Sequence, residues 1–352
     1  MTILITIVSK QTIPNILFIK EKQAEADKFL FVNTEYTLKG KFSERIKNVC
    51  HIQDEDYWNV EVLEDDITDM AQKIEAKLEA NQLPDDARFL VHITGGTKPM
   101  SLGVFSFFEK KKNVEFYYIT FPKTTRYQRL YTDRPPEYHI LNYQITLEDY
   151  LLAYGINIES KQRQLVKDFE YTKQLTLSSR EDTTREVNHQ KQLLENQGDA
   201  DKTELNYYKY NGYFEEYIYT VVKTKLQLND DQIGLSVKTE QPLIDDPEIA
   251  DHEIDVMFIY ENHLYIIECK TGAHHKLFEE TVFRLYSIKQ RIGFSNGYIV
   301  MLQPLKDADG KLPALYAKKA KPSGITVLDG TDIKQETGLL HAIQKIKDKH
   351  ST

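Results

Sequence analysis

Residues 252–272, HEIDVMFIYENHLYIIECKTG, decide how the second half of the chain folds. The stretch is rich in β-branched and aromatic residues, with a polar break at Glu261-Asn262, and reads as two strands of a hairpin. Asp255, Glu268 and Lys270 interrupt it, and charged groups are seldom buried without partners. Side chains alternate between the faces of a strand, so Glu268 and Lys270 share a face while Cys269 points the other way, into the core. With a two-residue turn at Glu261-Asn262, Tyr260 pairs with His263 and Asp255 falls opposite Glu268 on the same face. Asn262 tolerates the positive φ that such a turn demands. An odd turn length without a bulge would send Asp255 to the opposite face.

Upstream, 212–226 (GYFEEYIYTVVKTKL) is predicted helical, with Phe214, Ile218, Val221 and Val222 on its buried stripe. Glu215 lies at the edge of that stripe, placed to lean over the end of the sheet, and Glu216 is expected to face solvent. A strand at 232–240 precedes the hairpin. A helix at 276–293, stopped near Gly293, and a strand at 297–302 follow it. The tail holds a β-rich run, GITVLDG, and an amphipathic helix with Leu339, Leu340, Ile343 and Ile346 on one stripe. Arg284, Lys289 and Arg291 belong on the solvated side of the 276–293 helix, with Lys289 the one placed to face a substrate. His274 and His275 read as an exposed loop pair.

Converging carboxylates require an opposing charge. A hard divalent cation, magnesium or manganese, takes oxygen ligands of this kind, polarises a phosphodiester and lowers the pKa of an attacking water. Lys270 could stabilise charge at phosphorus or orient that water. A salt-bridge network at a sheet edge is the competing structural reading. The series GYFEE…EIDVMFIYENHLYIIECK resembles the helix Glu, strand Asp and E-x-K of the PD-(D/E)xK nucleases. The resemblance implies a restriction-endonuclease-like α/β domain in which Asp255, Glu268 and the Cys269 carbonyl bind Mn2+ or Mg2+. It further implies that Glu215 adds a ligand, directly or through water, and that Lys270 is catalytic. The proline of the family's name is absent, His252-Glu253-Ile254 standing before Asp255.

The first part of the chain alternates differently. Apolar runs at 2–8, 28–34, 88–96 and 114–121 read as strands; a segment near Pro14, 67–80 and 98–111 read as helices. That order suggests a parallel, Rossmann-like α/β domain over residues 1–145. After the strand HITGG, Gly95 and Gly96 permit close backbone approach. The following helix N-terminus, with Thr94, Thr97 and Lys98, offers donors to an anion. Neither G-x-x-x-x-G-K-[ST] nor G-x-G-x-x-G is present. TGGTKPM after one strand and VSKQTIPNI after the first resemble the CARF domains, which sense cyclic oligoadenylates in type III CRISPR defence. The resemblance implies a homodimer with the ring across its axis. It places Ser9, Gln11, Thr12, Asn15 and Thr34 around the ligand from one side, and Thr94, Gly95, Gly96, Thr97, Lys98 and Met100 from the other. Arg126 and Arg129 could reach ligand or partner, and His92 reads as a packing residue.

The chain has 352 residues, 41% of them hydrophobic and 28% charged, a composition of globular domains. Two cysteines exclude a disulfide framework, and the cytoplasm is the expected compartment. A net charge of −9 argues against coating nucleic acid by bulk electrostatics but not against a local basic groove. Residues 146–206 are polar and are expected to form a helical linker to a C-terminal domain at 207–352. CARF followed by PD-(D/E)xK is the layout of the CRISPR ancillary nucleases. It implies a metal-dependent endonuclease switched on by cyclic tetra-adenylate or a related ring, cutting single-stranded DNA or RNA or supercoiled DNA. The alternatives are a CARF-linked regulator that binds nucleic acid without cleavage and a ring nuclease that degrades the messenger.

Overall fold

A computed structural model of the chain describes residues 1–120, 124–162, 168–178, 182–186, 188–189, 212–241, 243, 253–272, 275–293, 295–307, 309–334 and 341–346. The chain divides into two compact units, Met1–Gly155 and Ile156–Thr352.

The first unit is built on a seven-stranded sheet ordered β3-β2-β1-β4-β5-β6-β7. Its strands are β1 (Thr2–Ile7), β2 (Lys28–Asn33), β3 (Tyr57–Glu61), β4 (Arg88–His92), β5 (Val114–Ile119), β6 (Arg126–Leu130) and β7 (Glu137–Ile140). The first five are mutually parallel; β6 and β7 add antiparallel pairs. Between the strands run α1 (Ile13–Lys22), α2 (Glu35–Lys39), α3 (Phe42–Cys50), α4 (Ile67–Ala80) and α5 (Lys98–Phe108), with α6 (Leu147–Leu152) closing the unit. β1, β2 and β4 are buried on both faces, which is why they read as unbroken apolar runs. The side chains of α4 and α5, among them Met70, Ile74, Leu78, Val104 and Phe108, close over Ile3, Ile5 and Ile7. Each such burial contributes about 1.5–3 kcal/mol. Asp66 fixes the start of α4 by accepting from the Thr68 and Asp69 N–H groups.

The second unit has a six-stranded sheet ordered β13-β12-β11-β10-β9-β8. It comprises β8 (Ile158–Gln162), β9 (Ile233–Thr239), β10 (Glu253–Tyr260), β11 (His263–Lys270), β12 (Ser295–Met301) and β13 (Ile325–Leu328). Its helices are α7 (Phe169–Leu177), α8 (Gly212–Leu226), α9 (His275–Ile292), α10 (Ala314–Ala320) and α11 (Gly330–Lys334). α8 packs on one face, where Phe214, Ile218 and Val222 meet Val256, Phe258, Tyr265 and Ile267. α9 joins β11 to its parallel neighbour β12 and buries Phe278, Leu285 and Ile288.

Residues 146–206, expected as a linker, contribute α6 to the first unit, and β8 and α7 to the second. Residues 158–162 form an edge strand on β9 where a helix was expected. Residues 163–167, 179–181, 187 and 190–206 of the expected linker, and Leu339 and Leu340, lie outside the described residues, as does His274. Among the described residues no helix is long and apolar enough to cross a membrane.

Candidate active site

The β10–β11 hairpin turns through Glu261 and Asn262, both left-handed at φ 49° and 64°. Tyr260 faces His263, and the register runs to Val256 opposite Ile267. The backbone ladder stops there. One step further the Cys269 N–H donates to Asp255 Oδ2 at 2.6 Å, so a carboxylate takes the place of a rung. Lys270 Nζ lies 2.8 Å from Glu268 Oε2 and 3.5 Å from Asp255 Oδ2. Asp255, Glu268 and Lys270 thus converge at one end of the hairpin, as the two-residue turn requires, while the Cys269 side chain lies in the core beneath α8.

The electrostatics are those of a confined acidic pair. Glu268 is fully buried. Burial, then the neighbouring Glu268, push the Asp255 carboxyl up to about 7, against the opposing pull of Lys270 and the Cys269 N–H. Burial works to lower the Lys270 ammonium, but Glu268 and Asp255 outweigh it and hold the group above its ordinary value. Lys270 therefore stands charged between the two acids.

Two further residues belong here. Arg284, on α9, has its side chain 11% exposed and sets Nη1 3.4 Å from Glu268 Oε1. Its Nη2 donates to the Glu253 carbonyl. It is no solvated helix charge: it lies on the edge of the α9 stripe, one turn from the buried Thr281 and Ile288, which is the signal the sequence carried. Ser236 on β9 falls in register across from Asp255, between the pairs Ile254–Val237 and Val256–Leu235. Its φ is 47°, a strained value for a non-glycine residue inside a strand, and its buried hydroxyl has no hydrogen-bond partner. Nothing in the sequence signals that conformation.

Other expected residues fall elsewhere. Glu215 is half-buried on α8, on the side of the sheet that Cys269 faces. Burial pushes the Cys269 thiol up, and Asp255 and Glu215 add to it. Glu216, expected in solvent, is fully buried, because α8 is covered on most of its circumference. Lys289 donates to the carbonyls of Ser323 and Gly324 and holds the turn before β13.

The donor set suits a hard divalent cation. Glu268 Oε1 is buried and accepts no hydrogen bond, Arg284 facing it only as an ion pair, and burial beside Glu268 holds the Asp255 carboxyl above its ordinary range. Among the described residues no three Asp, Glu, His or Cys side chains gather into a cage. The ligands would be two carboxylates, the main-chain carbonyl and water, as magnesium and manganese accept.

The first unit carries a second candidate site. Its strand order reverses at β1 and β4, and ligands of open α/β sheets bind outside the carboxyl ends of the strands at such a point. A Cβ on Gly95 would lie 2.1 Å from the Ile7 carbonyl, and Gly96 has φ 77°, so only glycines let the β4 loop close on β1. Thr97 caps α5 at the Met100 N–H and donates to the Glu64 carbonyl. Thr94 accepts from the Ile119 N–H. Gln11, Gly96, Thr97 and Lys98 are exposed at this crevice; Ser9 and Thr94 are half-buried. Thr12, Asn15, Thr34 and Met100 are buried. Thr12 donates to the Ala153 carbonyl, Asn15 to Thr6 and Ile7, and Thr34 caps α2. His92 stacks on Phe18 in the core. Arg129 is paired with Glu115.

Comparison with known proteins agrees with this division. Residues 3–150 match the Card1 CARF domain, and residues 203–309 match the Card1-like endonuclease domain. Can2 from Sulfobacillus thermosulfidooxidans, solved with cyclic tetra-adenylate, shares 18% identity at a TM-score of 0.70, over 98% of this chain and 99% of that one. Protein VC1899 from Vibrio cholerae shares 15% at 0.73, over 98% of each. A type III CRISPR defence DNA nuclease activated by cyclic oligoadenylate shares 14% at 0.59, over 91% of this chain and 51% of that one. No curated protein matches by sequence. At these identities the likeness is one of fold.

Proposed function

From a chain that joins a CARF domain to a Card1-like endonuclease domain, we propose a divalent-metal-dependent endonuclease that a cyclic oligoadenylate switches on in type III CRISPR defence. We propose cyclic tetra-adenylate as the activator, a homodimer as the working unit, and single-stranded DNA or RNA or supercoiled DNA as substrate. The observation that carries the reading is the convergence of Asp255, Glu268 and Lys270 on one face of the β10–β11 hairpin. A structural salt bridge would not need a second buried carboxylate beside the first, because like charges in a dry site oppose one another. Support for the activator comes from the crevice at β1 and β4 and from the cyclic tetra-adenylate bound to Can2.

The chain's own residues divide the chemistry. The Cys269 N–H locks one Asp255 oxygen, fixing the carboxylate's direction. Asp255, Glu268 and the Cys269 carbonyl would hold the cation, whose contribution is to polarise the phosphodiester and acidify the attacking water. Lys270, charged and within reach of both acids, is placed to stabilise charge gathering on the phosphoryl oxygens. Exposed Lys98 and the N–H groups at the start of α5 would meet a phosphate of the ring.

The test is cleavage of labelled single-stranded DNA and RNA and supercoiled plasmid in Mn2+, with and without cyclic tetra-adenylate, beside Glu268→Ala. Ligand-dependent cutting that falls at least ~100-fold in the variant is expected. Tight ligand binding with every substrate intact would sink the nuclease reading in favour of a regulator or a ring nuclease.

A further inference from the structure

Arg284 reaches the catalytic carboxylates from a different element. Its guanidinium comes from α9, the helix that follows the E-x-K strand, and is anchored at Nη2 by the Glu253 carbonyl. Nη1 faces Glu268 Oε1, while Lys270 holds Oε2. The fully buried Glu268 is thus clasped by two cations, one on each oxygen. When both acids are ionised, Asp255 and Glu268 are balanced by Lys270 and Arg284. Such a site is complete without a metal, and a dication added to it leaves an excess of positive charge. An incoming phosphodiester supplies one of the negative charges that restore the balance. A guanidinium matches phosphate geometry with its planar fork, and its 3.4 Å contact with Glu268 Oε1 is an ion pair and not a hydrogen bond.

We infer that Arg284 is an exchange residue of the active site. It neutralises Glu268 while no divalent cation is held there, and it turns to the scissile phosphodiester when Glu268 is engaged as a ligand. This rests on the nuclease reading and extends it: Arg284 competes for Glu268 in the resting site and assists in the loaded one. The two roles have opposite signs, which a merely structural arginine would not show.

The experiment uses the full chain with Arg284→Ala and Arg284→Lys. Mn2+ binding is measured by calorimetry without nucleic acid above pH 8, and kcat and KM on labelled single-stranded DNA with cyclic tetra-adenylate. Arg284→Ala is expected to bind Mn2+ about tenfold more tightly, since a competing cation is gone. Its kcat is expected to fall about 100- to 1,000-fold, the scale for removing one donor to a developing charge. Arg284→Lys keeps the charge and loses the fork, so Mn2+ affinity stays near wild type while kcat still drops. Weaker Mn2+ binding by a folded Arg284→Ala chain, or a wild-type kcat in Arg284→Lys, overturns the inference. Should Arg284→Ala fail to fold, Arg284→Lys decides alone. The binding arm requires no turnover: if the wild-type chain cuts nothing, the nuclease reading fails, and unchanged Mn2+ affinity in Arg284→Ala would separately end the exchange role.

Discussion

At the scale of single residues, buried ionisable groups carry the most consequence. His92 is fully buried against Phe18, and burial alone pushes its imidazole down to about 3. Below pH ~6.5 the unfolded imidazole takes a proton that the folded one refuses. The unfolded chain then binds more protons, so stability falls as pH drops from ~6.5 towards 3, at up to ~1.4 kcal/mol per pH unit. His92→Phe keeps an aromatic ring on Phe18 and removes the titration; Thr6 retains its bond from Asn15. The difference in unfolding free energy between wild type and variant is expected to close steadily on acidification. The chain's one tryptophan, Trp58, lies on β3, so its fluorescence follows the first unit. Parallel wild-type and variant curves would contradict the assignment. Asp255, Glu268 and Lys270 were legible because alternation along two strands is a two-fold rule. Glu216 was misplaced because a one-sided stripe presumes a helix with one wet face, and α7 also packs on α8, with Phe169 stacked on Tyr217. Arg284 stands at the edge of the α9 stripe, where side-chain length hides which flank a charge bends towards, so position alone does not tell a solvated arginine from a buried one.

Elements divide in the same way between those that advertise themselves and those that do not. The central strands β1, β2, β4, β10 and β11 are buried on both faces and read as apolar runs. Of the unread β3, β6, β7 and β8, all but β6 are edge strands, where charged and polar residues blunt the exposed rim and erase alternation. β8, with the sequence IESKQ, is the clearest instance, its pairing with β9 broken by register shifts. The turn between β10 and β11 was legible from two residues, and everything about the active-site face depends on its even length. At the end of β13, fully buried Asp329 gathers four main-chain donors: Leu305 and Lys306 on Oδ2, Thr331 and Asp332 on Oδ1. Burial works to raise this carboxyl, but the Lys306, Leu305 and Asp332 N–H groups outweigh it and hold it below the ordinary range. Its contribution is therefore present above pH ~4, where the unfolded carboxyl is ionised, and is lost as pH falls through the lower folded value. Asp329→Asn turns an NH2 group towards N–H donors and is expected to cost about 2–4 kcal/mol in thermal unfolding followed by circular dichroism. A change under ~0.5 kcal/mol, the size typical of a surface substitution, would show the clamp to be idle.

For the whole molecule, the question is whether the two units speak to one another, and thermodynamic reciprocity supplies a test that needs no catalysis. If a cyclic oligoadenylate on the first unit opens the second to nucleic acid, it must favour the strand-binding state by a definite free energy. A strand bound to the second unit must then tighten the ligand on the first by the same factor. Glu268→Ala is suited to this measurement, since it is expected to hold the strand without consuming it. Cyclic tetra-adenylate affinity in that variant is expected to rise about 5- to 150-fold in saturating single-stranded DNA, the usual range of allosteric coupling. The ligand should also delay the Trp58 unfolding transition by about 2.7 kcal/mol at a hundredfold excess over its Kd. Lys98→Glu, at the exposed start of α5, sets a negative charge where a ring phosphate would sit. It should lose both the shift and the coupling while Mn2+ binding at Asp255 and Glu268 stays intact. A ligand affinity indifferent to the strand, in a chain that binds both, would mean that sensor and nuclease share a polypeptide without sharing an equilibrium. Activation would then have to come from a step after the strand is bound.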